Sequence, residues 1–270
     1  MGARFAEGGL AFADSAAEAL AVLTTLEGHV AARDVAVVLF DGRLGAAHAA
    51  VLDRTPPMLL LARRDPEGLP SAWELALLRN VMTGGTMVPS RTILRRQLIL
   101  RQLPDIHAAS EAAAAMVLEA GGKRNAASIA ADVMHELAAN ALLDAPVDSA
   151  GAPSYAHQRD ALPVIADRDA CEVNLGVADG YIYLEATDRF GRLEPGPVAR
   201  AVSSLGQQAH IRAAGGGAGL GLRRMIEHSD AMAVRVTPGA ESRVVCAVNL
   251  GDARRRDSAP KSLYFWTVRG

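Results

Sequence analysis

The spacing of apolar and polar positions predicts alternating helices and strands over the C-terminal half of the chain. Apolar positions recur at helical spacing in two segments, at residues 105–120 and 126–143. Gly121-Gly122 stands between them, and glycine is typical of a helix end. Runs of β-forming residues predict strands at residues 170–178, 181–187, 231–237 and 243–250. The segment 145–161, which Pro and Gly residues interrupt, is expected to be a loop.

The N-terminal hundred residues also alternate strands with helices. Two buried-type strands are predicted at residues 35–41 and 57–62. Helices are predicted at residues 15–27, 46–53 and 71–81. Because this alternation is typical of α/β units, we expect a parallel sheet in this part of the chain.

An acid and an amide share one face of the helix predicted at residues 126–143. Glu136 and Asn140 are four residues apart, so their side chains lie one turn from each other. A side-chain oxygen at Asn140 is a ligand that Mg²⁺ accepts, together with phosphates and water. Glu136 is placed to orient or deprotonate an attacking hydroxyl or water. The alternative is that both residues simply belong to the solvated face of an amphipathic helix.

Asp188 ends the apolar strand predicted at residues 181–187. A carboxylate there is able to accept a hydrogen bond from an exocyclic amine such as the N6 group of adenine. A turn-forming Asp that caps the strand is the other interpretation.

A glycine-rich run, Gly215 to Gly221, leads into a predicted helix that begins at Leu222. Glycines allow backbone N–H groups to approach phosphate oxygens, and a helix N-terminus adds partial positive charge. The run does not follow a strand directly, and it lacks the Lys-Ser/Thr pair of a P-loop. Both observations disfavour the Rossmann and Walker types of nucleotide site.

In this order and at these spacings, the three segments resemble the N, G1 and G2 boxes of the GHKL ATPase/kinase superfamily, which has the Bergerat ATP-binding fold. Within it, the chain is most similar to the anti-sigma-factor serine kinases of bacterial switch modules. The resemblance covers about residues 103–250 and implies an α/β sandwich, a mixed sheet covered by helices on one face, that binds ATP and Mg²⁺. It implies that Glu136 is the catalytic base and Asn140 the Mg²⁺ ligand. The residues implied to contact the nucleotide are Asn140, Asp188, Gly191, Gly217, Gly219, Leu220 and Gly221.

One box departs from the family pattern. The G1 box of the family is Asp-x-Gly-x-Gly, whereas Phe190 and Arg192 occupy its glycine positions here and Gly191 lies between them. Phe190 is therefore expected to reshape the adenine pocket. Residues 193–214 would form the ATP lid, with three candidate phosphate contacts or, alternatively, ordinary surface charges: Arg200, His210 and Arg212.

The N-terminal pattern resembles a response-regulator receiver domain, with Asp41 at the phosphoacceptor position. Ala62 stands where such a domain needs a hydroxyl, and Val88 stands where it needs a Lys before a Pro. The acidic pair of the first strand is also missing. We therefore expect a degenerate receiver-like domain that serves interaction rather than phosphorylation.

Length and charge limit the remaining alternatives. The 270 residues fit two domains, which we place at residues 1–104 and 105–251, followed by a tail at 252–270 whose aromatic end is expected to add a strand or dock on a partner. The net charge of −2 does not favour nucleic acid as a partner. No apolar run reaches the ~20 residues of a membrane span, and no signal peptide is recognised. Cys171 and Cys246 lack CxxC spacing, so a reducing cytoplasm is expected.

Two functions remain open at this point. The first is a cytoplasmic bacterial regulator that acts on a partner protein as an ATP-dependent serine kinase or anti-sigma-type switch. The second is a non-catalytic module that sequesters its partner, with weak or absent nucleotide binding. A sigma factor or an anti-sigma antagonist is the expected type of partner, and a homodimer is a further candidate assembly. Of the seven histidines, none stands near a Cys or a second His at metal-ligand spacing.

Overall fold

The computed structural model describes residues 71–155, 165–206, 218–251 and 260–268 continuously. It also describes short stretches before them, at residues 5–6, 10–12, 36–40, 44–45, 48–49 and 58–62. The predicted helix at 15–27 and the phosphoacceptor candidate Asp41 lie outside the described residues. Of the helix predicted at 46–53, only residues 48–49 are described, and they are helical.

Ten strands and five α-helices are found in these residues. The strands are β1 Phe5–Ala6, β2 Leu10–Phe12, β3 Ala36–Phe40, β4 Met58–Ala62, β5 Leu94–Leu100, β6 Cys171–Ala178, β7 Tyr181–Asp188, β8 Ala231–Thr237, β9 Glu241–Asn249 and β10 Ser262–Thr267. The helices are α1 Ala72–Thr83, α2 Leu103–Glu119, α3 Arg124–Ala139, α4 Pro195–Ser203 and α5 Ala218–His228. The mixed α/β class expected from the sequence is confirmed.

All ten strands join one sheet in the order β1-β2-β3-β4-β10-β8-β9-β7-β6-β5. Strands β2, β3 and β4 are parallel, as the alternating N-terminal pattern predicted. From β8 to β5 every neighbouring pair is antiparallel. The domain boundary between residues 104 and 105 stays a prediction. Strand β5, which precedes this boundary, pairs along its whole length with β6, which follows it.

Strand β10 connects the two parts of the sheet. It lies antiparallel to β4 on one side and parallel to β8 on the other. The prediction that the aromatic end of the chain adds a strand is confirmed. The Lys261 ammonium group fixes the start of this strand, because it donates to the carbonyl oxygens of Glu227 (2.7 Å) and Ser229 (2.9 Å) at the end of α5. A cation at the C-terminus of a helix is stabilised by the helix dipole.

Helices α2, α3, α4 and α5 pack on one face of the sheet. Alternate residues of the central strands point toward them, among them Val173, Leu184, Val234 and Cys246, which are all fully buried. Helices α2 and α3 form a hairpin whose connection turns at Gly121, with a φ of 76°. The Gly121-Gly122 helix end expected from the sequence is therefore confirmed. In the described ranges, no helix has both the length and the apolar character that crossing a membrane requires.

Helix α1 and the segment after it pack on the opposite face. Trp73, Leu77 and Met87 are buried there against the sheet. The carboxylate of Glu185, on β7, is completely buried and accepts hydrogen bonds from the backbone N–H of Met87 (2.6 Å) and the hydroxyl of Thr86 (2.8 Å). Burial raises the pKa of Glu185, although these hydrogen bonds and the nearby Arg243 guanidinium oppose the shift.

Candidate functional site

The predicted amide lines a cavity directly after α3, and the predicted acid lies one turn before it on that helix. The regular α-helix ends at Ala139, and a π-helical turn, Asn140–Asp144, continues the chain. In this turn the N–H of Ala145 donates to the carbonyl oxygen of Asn140 at 3.0 Å. Single π-turns of this kind are frequent at functional sites, because they re-aim side chains at a helix end.

Gly219 and Gly221, the two glycines of the third segment that the structure describes, lie inside a helix, not before one. Helix α5 starts at Ala218, so Gly219, Leu220 and Gly221 belong to its first turns, and the predicted start at Leu222 is wrong by about one turn. Gly217 and the preceding glycines lie outside the described residues. Gly219 and Leu220 are exposed, which leaves the N-terminal end of the helix accessible.

Gly221 allows α5 to approach α3 at the predicted acid. A Cβ atom at this position would lie 2.6 Å from Oε2 of Glu136 and 3.6 Å from Nδ2 of Asn140. The structure thus brings Glu136, Asn140 and Gly221 together, although 81 residues separate Asn140 from Gly221 in the sequence. At Gly219, by contrast, a Cβ atom would meet nothing within 4 Å.

Arg224, one turn further along α5, forms an ion pair with the candidate base. Its Nη1 atom lies 3.2 Å from Oε1 of Glu136, and the two side chains are 66% and 22% exposed. The sequence analysis did not single out Arg224, because a contact between residues 88 positions apart leaves no local signal. The guanidinium adds a positive charge beside the N-terminal end of α5.

Asp188 lies at the end of β7 in a largely buried position. Its Oδ1 atom accepts hydrogen bonds from the backbone N–H groups of Phe190 (2.8 Å) and Gly191 (3.2 Å). Ser242, its partner on β9, donates further hydrogen bonds. Burial raises the pKa of Asp188 because desolvation disfavours the charged form, while these hydrogen bonds act in the opposite direction.

Gly191 has a structural task in the turn after Asp188. Its φ is 60°, in the left-handed region that favours glycine. A Cβ atom here would collide with the carbonyl oxygen of Thr237 and lie 2.8 Å from the backbone nitrogens of Gly239 and Ala240. The turn that presents Asp188 therefore packs directly against the β8–β9 connection.

Asn140 and Asp188 line the same cavity, which has a volume of about 350 Å³. Its walls come from α3 and the π-turn, from β7 and β9, and from α4 and α5. Most of the lining is apolar, and the polar side chains are Asn140, Asp144, Asp188 and Arg192. The apolar lining residues include Leu137, Ala141, Val147, Ala186, Leu193, Leu222, Met225 and Val244. A mostly apolar cavity with a few polar side chains is typical of small-molecule binding sites.

Of Phe190 and Arg192, the two residues at which the sequence departs from the G1-box pattern it resembles, only Arg192 lines this cavity. Its Nη1 atom donates to the carbonyl oxygen of Gly151 at 3.1 Å, so it connects the turn after β7 to the loop beyond the π-turn. Phe190 is partly exposed and is not among the lining residues, contrary to the expectation that it shapes the pocket. Arg200 is exposed on α4, whereas His210 and Arg212 lie outside the described residues.

The surroundings of Asn140 suit a hydrated Mg²⁺ ion rather than an all-protein metal cage. Within the described ranges, no group of three or more His, Cys, Asp or Glu side chains is arranged to hold a metal. Mg²⁺ commonly takes one or two protein oxygens and completes its shell with phosphates and water. The amide oxygen of Asn140 at the cavity edge, with Glu136 one turn before it, fits that type of site.

Comparison with known proteins adds little to this geometry. No protein-family model matches the chain, and no curated protein matches it in sequence. A chain from the crystal structure of the SiaB–SiaC complex from Pseudomonas aeruginosa is similar, with a TM-score of 0.39 and 15% sequence identity. That likeness covers 58% of this chain and 90% of the other. A likeness this low establishes neither the family nor the activity of the chain.

Proposed function

We propose that this chain binds ATP with Mg²⁺ in the cavity between α3, α5 and β7, and that it acts in bacterial signalling as a serine kinase or anti-sigma-type switch on a partner protein. The observation that carries the proposal is that Asn140 and Asp188 line one cavity while Gly221 brings α5 against Glu136. The sequence segments that resemble the N, G1 and G2 boxes thus meet at a single place.

Each residue has a distinct task in this proposal. The adenine ring lies in the apolar part of the cavity, and Asp188 accepts a hydrogen bond from its N6 amino group. The phosphates extend toward the exposed N-terminal end of α5, where free N–H groups and the helix dipole favour anions. Asn140 would hold Mg²⁺, which would supply positive charge to the phosphate groups.

Glu136 is the base of the proposed transfer. It accepts the proton of a serine hydroxyl of the partner as that oxygen bonds to the γ-phosphorus, and the bond to ADP breaks. The ion pair with Arg224 holds the Glu136 carboxylate beside Gly221 of α5, the helix toward which the phosphates are expected to extend. Arg224 is mostly exposed, so its side chain has room to reorient when an anion enters.

The adenine contact is tested by Asp188→Asn. This variant should weaken ATP binding by about 1.5–3 kcal/mol, the range for a hydrogen bond that involves a charged group. Calorimetric titration of both proteins measures the difference. Asp167→Asn is the matched control and should bind ATP like wild type. The Asp167 side chain is 84% exposed and forms an ion pair with Arg101. Equal affinity in Asp188→Asn and wild type would contradict this placement of adenine.

The catalytic role is tested by Glu136→Ala. A base acts mainly on the transition state, so turnover should fall by about 10²–10⁴-fold while ATP affinity changes little. ADP formation, measured with ATP in excess, gives the turnover, and Glu111→Ala on the exposed side of α2 is the control. Equal turnover in wild type and Glu136→Ala would move the protein to the class of non-catalytic binding modules.

A separate observation supports the binding of a partner chain. Strand β5 is at the edge of the sheet, and its described hydrogen-bonded neighbour is β6 alone. Ile93 and Ile99 are 74% and 41% exposed along this edge. An unpaired strand edge with exposed apolar side chains is suited to pairing with an extended segment of another chain or of a second copy. Partner binding at β5 is compatible with either function.

A further inference from the structure

Two histidines that are far apart in the sequence lie side by side on neighbouring helices. His107, on α2, and His135, on α3, have ring centroids 5.5 Å apart, with the ring planes tilted by 40°. We propose that these two imidazoles form a binding site for a divalent transition-metal ion of the class that prefers nitrogen ligands, such as Zn²⁺, Cu²⁺ or Ni²⁺. This site is separate from the proposed Mg²⁺ site at Asn140.

The distance between the rings fits one shared ion. Zn–N bonds of about 2.0–2.1 Å in tetrahedral geometry place the centroids of two ligating imidazoles roughly 5 Å apart. The observed 5.5 Å is close to that value. Both side chains are exposed, so rotation about χ2 is open to each ring.

Both rings are available for a ligand. His107 and His135 are exposed, and neither forms a hydrogen bond or an ion pair with any other residue that the structure describes. Other polar side chains of the hairpin are engaged: Asp105 caps α2, and Ser110 donates to the carbonyl oxygen of Ile106. The histidine pair thus has no such structural task in the described part of the molecule.

The helices hold the pair on a rigid support. Ile106 and Ala109, within two residues of His107 on α2, are buried in the core, and so are Val133 and Met134, within two residues of His135 on α3. The backbones of α2 and α3 are therefore fixed, and only the imidazole side chains have to move. Preorganised backbones lower the entropic cost of forming a metal site.

The number of protein ligands determines how tightly the site holds its ion. Because the described residues provide no group of three or more His, Cys, Asp or Glu ligands, water would fill the remaining positions. Such a site exchanges its ion, unlike a closed structural zinc site with four protein ligands. The ion would connect α2 to α3 directly beside Glu136, and metal binding would thereby stiffen the helix that carries the candidate base.

Titration with Zn²⁺ tests the proposal on the full chain, without nucleotide or Mg²⁺. Wild type, His107→Gln and His135→Gln are titrated with a zinc salt by calorimetry, and His228→Gln, on α5, is the control variant. Wild type should bind one Zn²⁺ at the pair, each of the two pair variants should lose at least about tenfold in affinity, and His228→Gln should keep the wild-type value. Equal melting temperatures of all four proteins without metal verify that each is folded.

Three results would overturn the proposal. One is that wild type binds no Zn²⁺ up to about 1 mM. Another is that both pair variants bind Zn²⁺ as wild type does. The last is that only one of the two substitutions weakens binding, since a shared ion needs both rings. None of these results depends on ATP, so they leave the proposed function untouched.

Discussion

Phe265→Ala is expected to lower the free energy of unfolding by about 3–5 kcal/mol, the usual cost of removing a large aromatic side chain from a core. Phe265 is 2% exposed and belongs to the core beneath α2, α3 and α5. It also lies in β10, the strand that connects β4 with β8. The loss should therefore affect both parts of the sheet in one transition.

Urea unfolding, followed by circular dichroism, measures this effect. Thr267→Ala in the same strand is the control, because Thr267 is only partly buried at the end of β10, and it should cost less than about 1 kcal/mol. Equal midpoints for Phe265→Ala and Thr267→Ala would contradict the position of β10 inside the sheet.

Gly191→Ala should be destabilising by about 2–5 kcal/mol, because it combines a left-handed backbone with a collision against backbone atoms. The φ of 60° disfavours any side chain, and the carbonyl oxygen of Thr237 occupies the place of the new methyl group. Since the N–H of Gly191 donates to Asp188, the variant should also lose ATP affinity.

The variant Gly239→Ala measures the cost of a left-handed backbone conformation without a steric collision of the new methyl group. Gly239 has a φ of 70°, but a Cβ atom there would meet nothing within 4 Å. This variant should cost only about 1–2 kcal/mol, the strain of the left-handed conformation alone. Thermal unfolding of both variants measures the difference, and a Gly191→Ala protein as stable as Gly239→Ala would show that the two turns are not in contact.

The sequence predicted the central strands well because their patterns are strong. Strands β6, β7, β8 and β9 are rich in β-forming residues, and each lies within about two residues of its prediction. Strand β5 is not predicted by the sequence pattern, because it is an edge strand. Its consecutive exposed residues Arg95, Arg96 and Gln97 interrupt the alternation of apolar and polar positions. Edge strands commonly carry such charges.

Helix α4 was missed for a different reason. It lies in the segment 193–214 that is predicted to be a lid, and it begins with Pro195 and Pro197, which are also common in loops. Proline is nevertheless well tolerated in the first turn of a helix. The predicted start of α5, at Leu222, is too late, because a glycine-rich run such as Gly215 to Gly221 is more typical of a turn than of a helix. In the structure Gly221 is helical, and its missing side chain serves the contact with Glu136 instead.

The candidate site was predictable only where neighbours in sequence form it. The i, i+4 spacing of Glu136 and Asn140 indicated that they share a face of a helix, and both do lie next to Gly221. The ion pair to Arg224 and the pairing of His107 with His135 depend on how the helices pack. Spacing along the chain carries no information about such contacts.

Titration of the purified protein with ATP and ADP, with and without Mg²⁺, tests the proposed nucleotide site most directly. Wild type should bind both nucleotides with dissociation constants below about 1 mM, and Mg²⁺ should strengthen the binding of ATP. Asn140→Ala should bind ATP with no dependence on Mg²⁺. If wild type shows no binding of ATP or ADP at millimolar concentration, the cavity lined by Asn140 and Asp188 is not a nucleotide site.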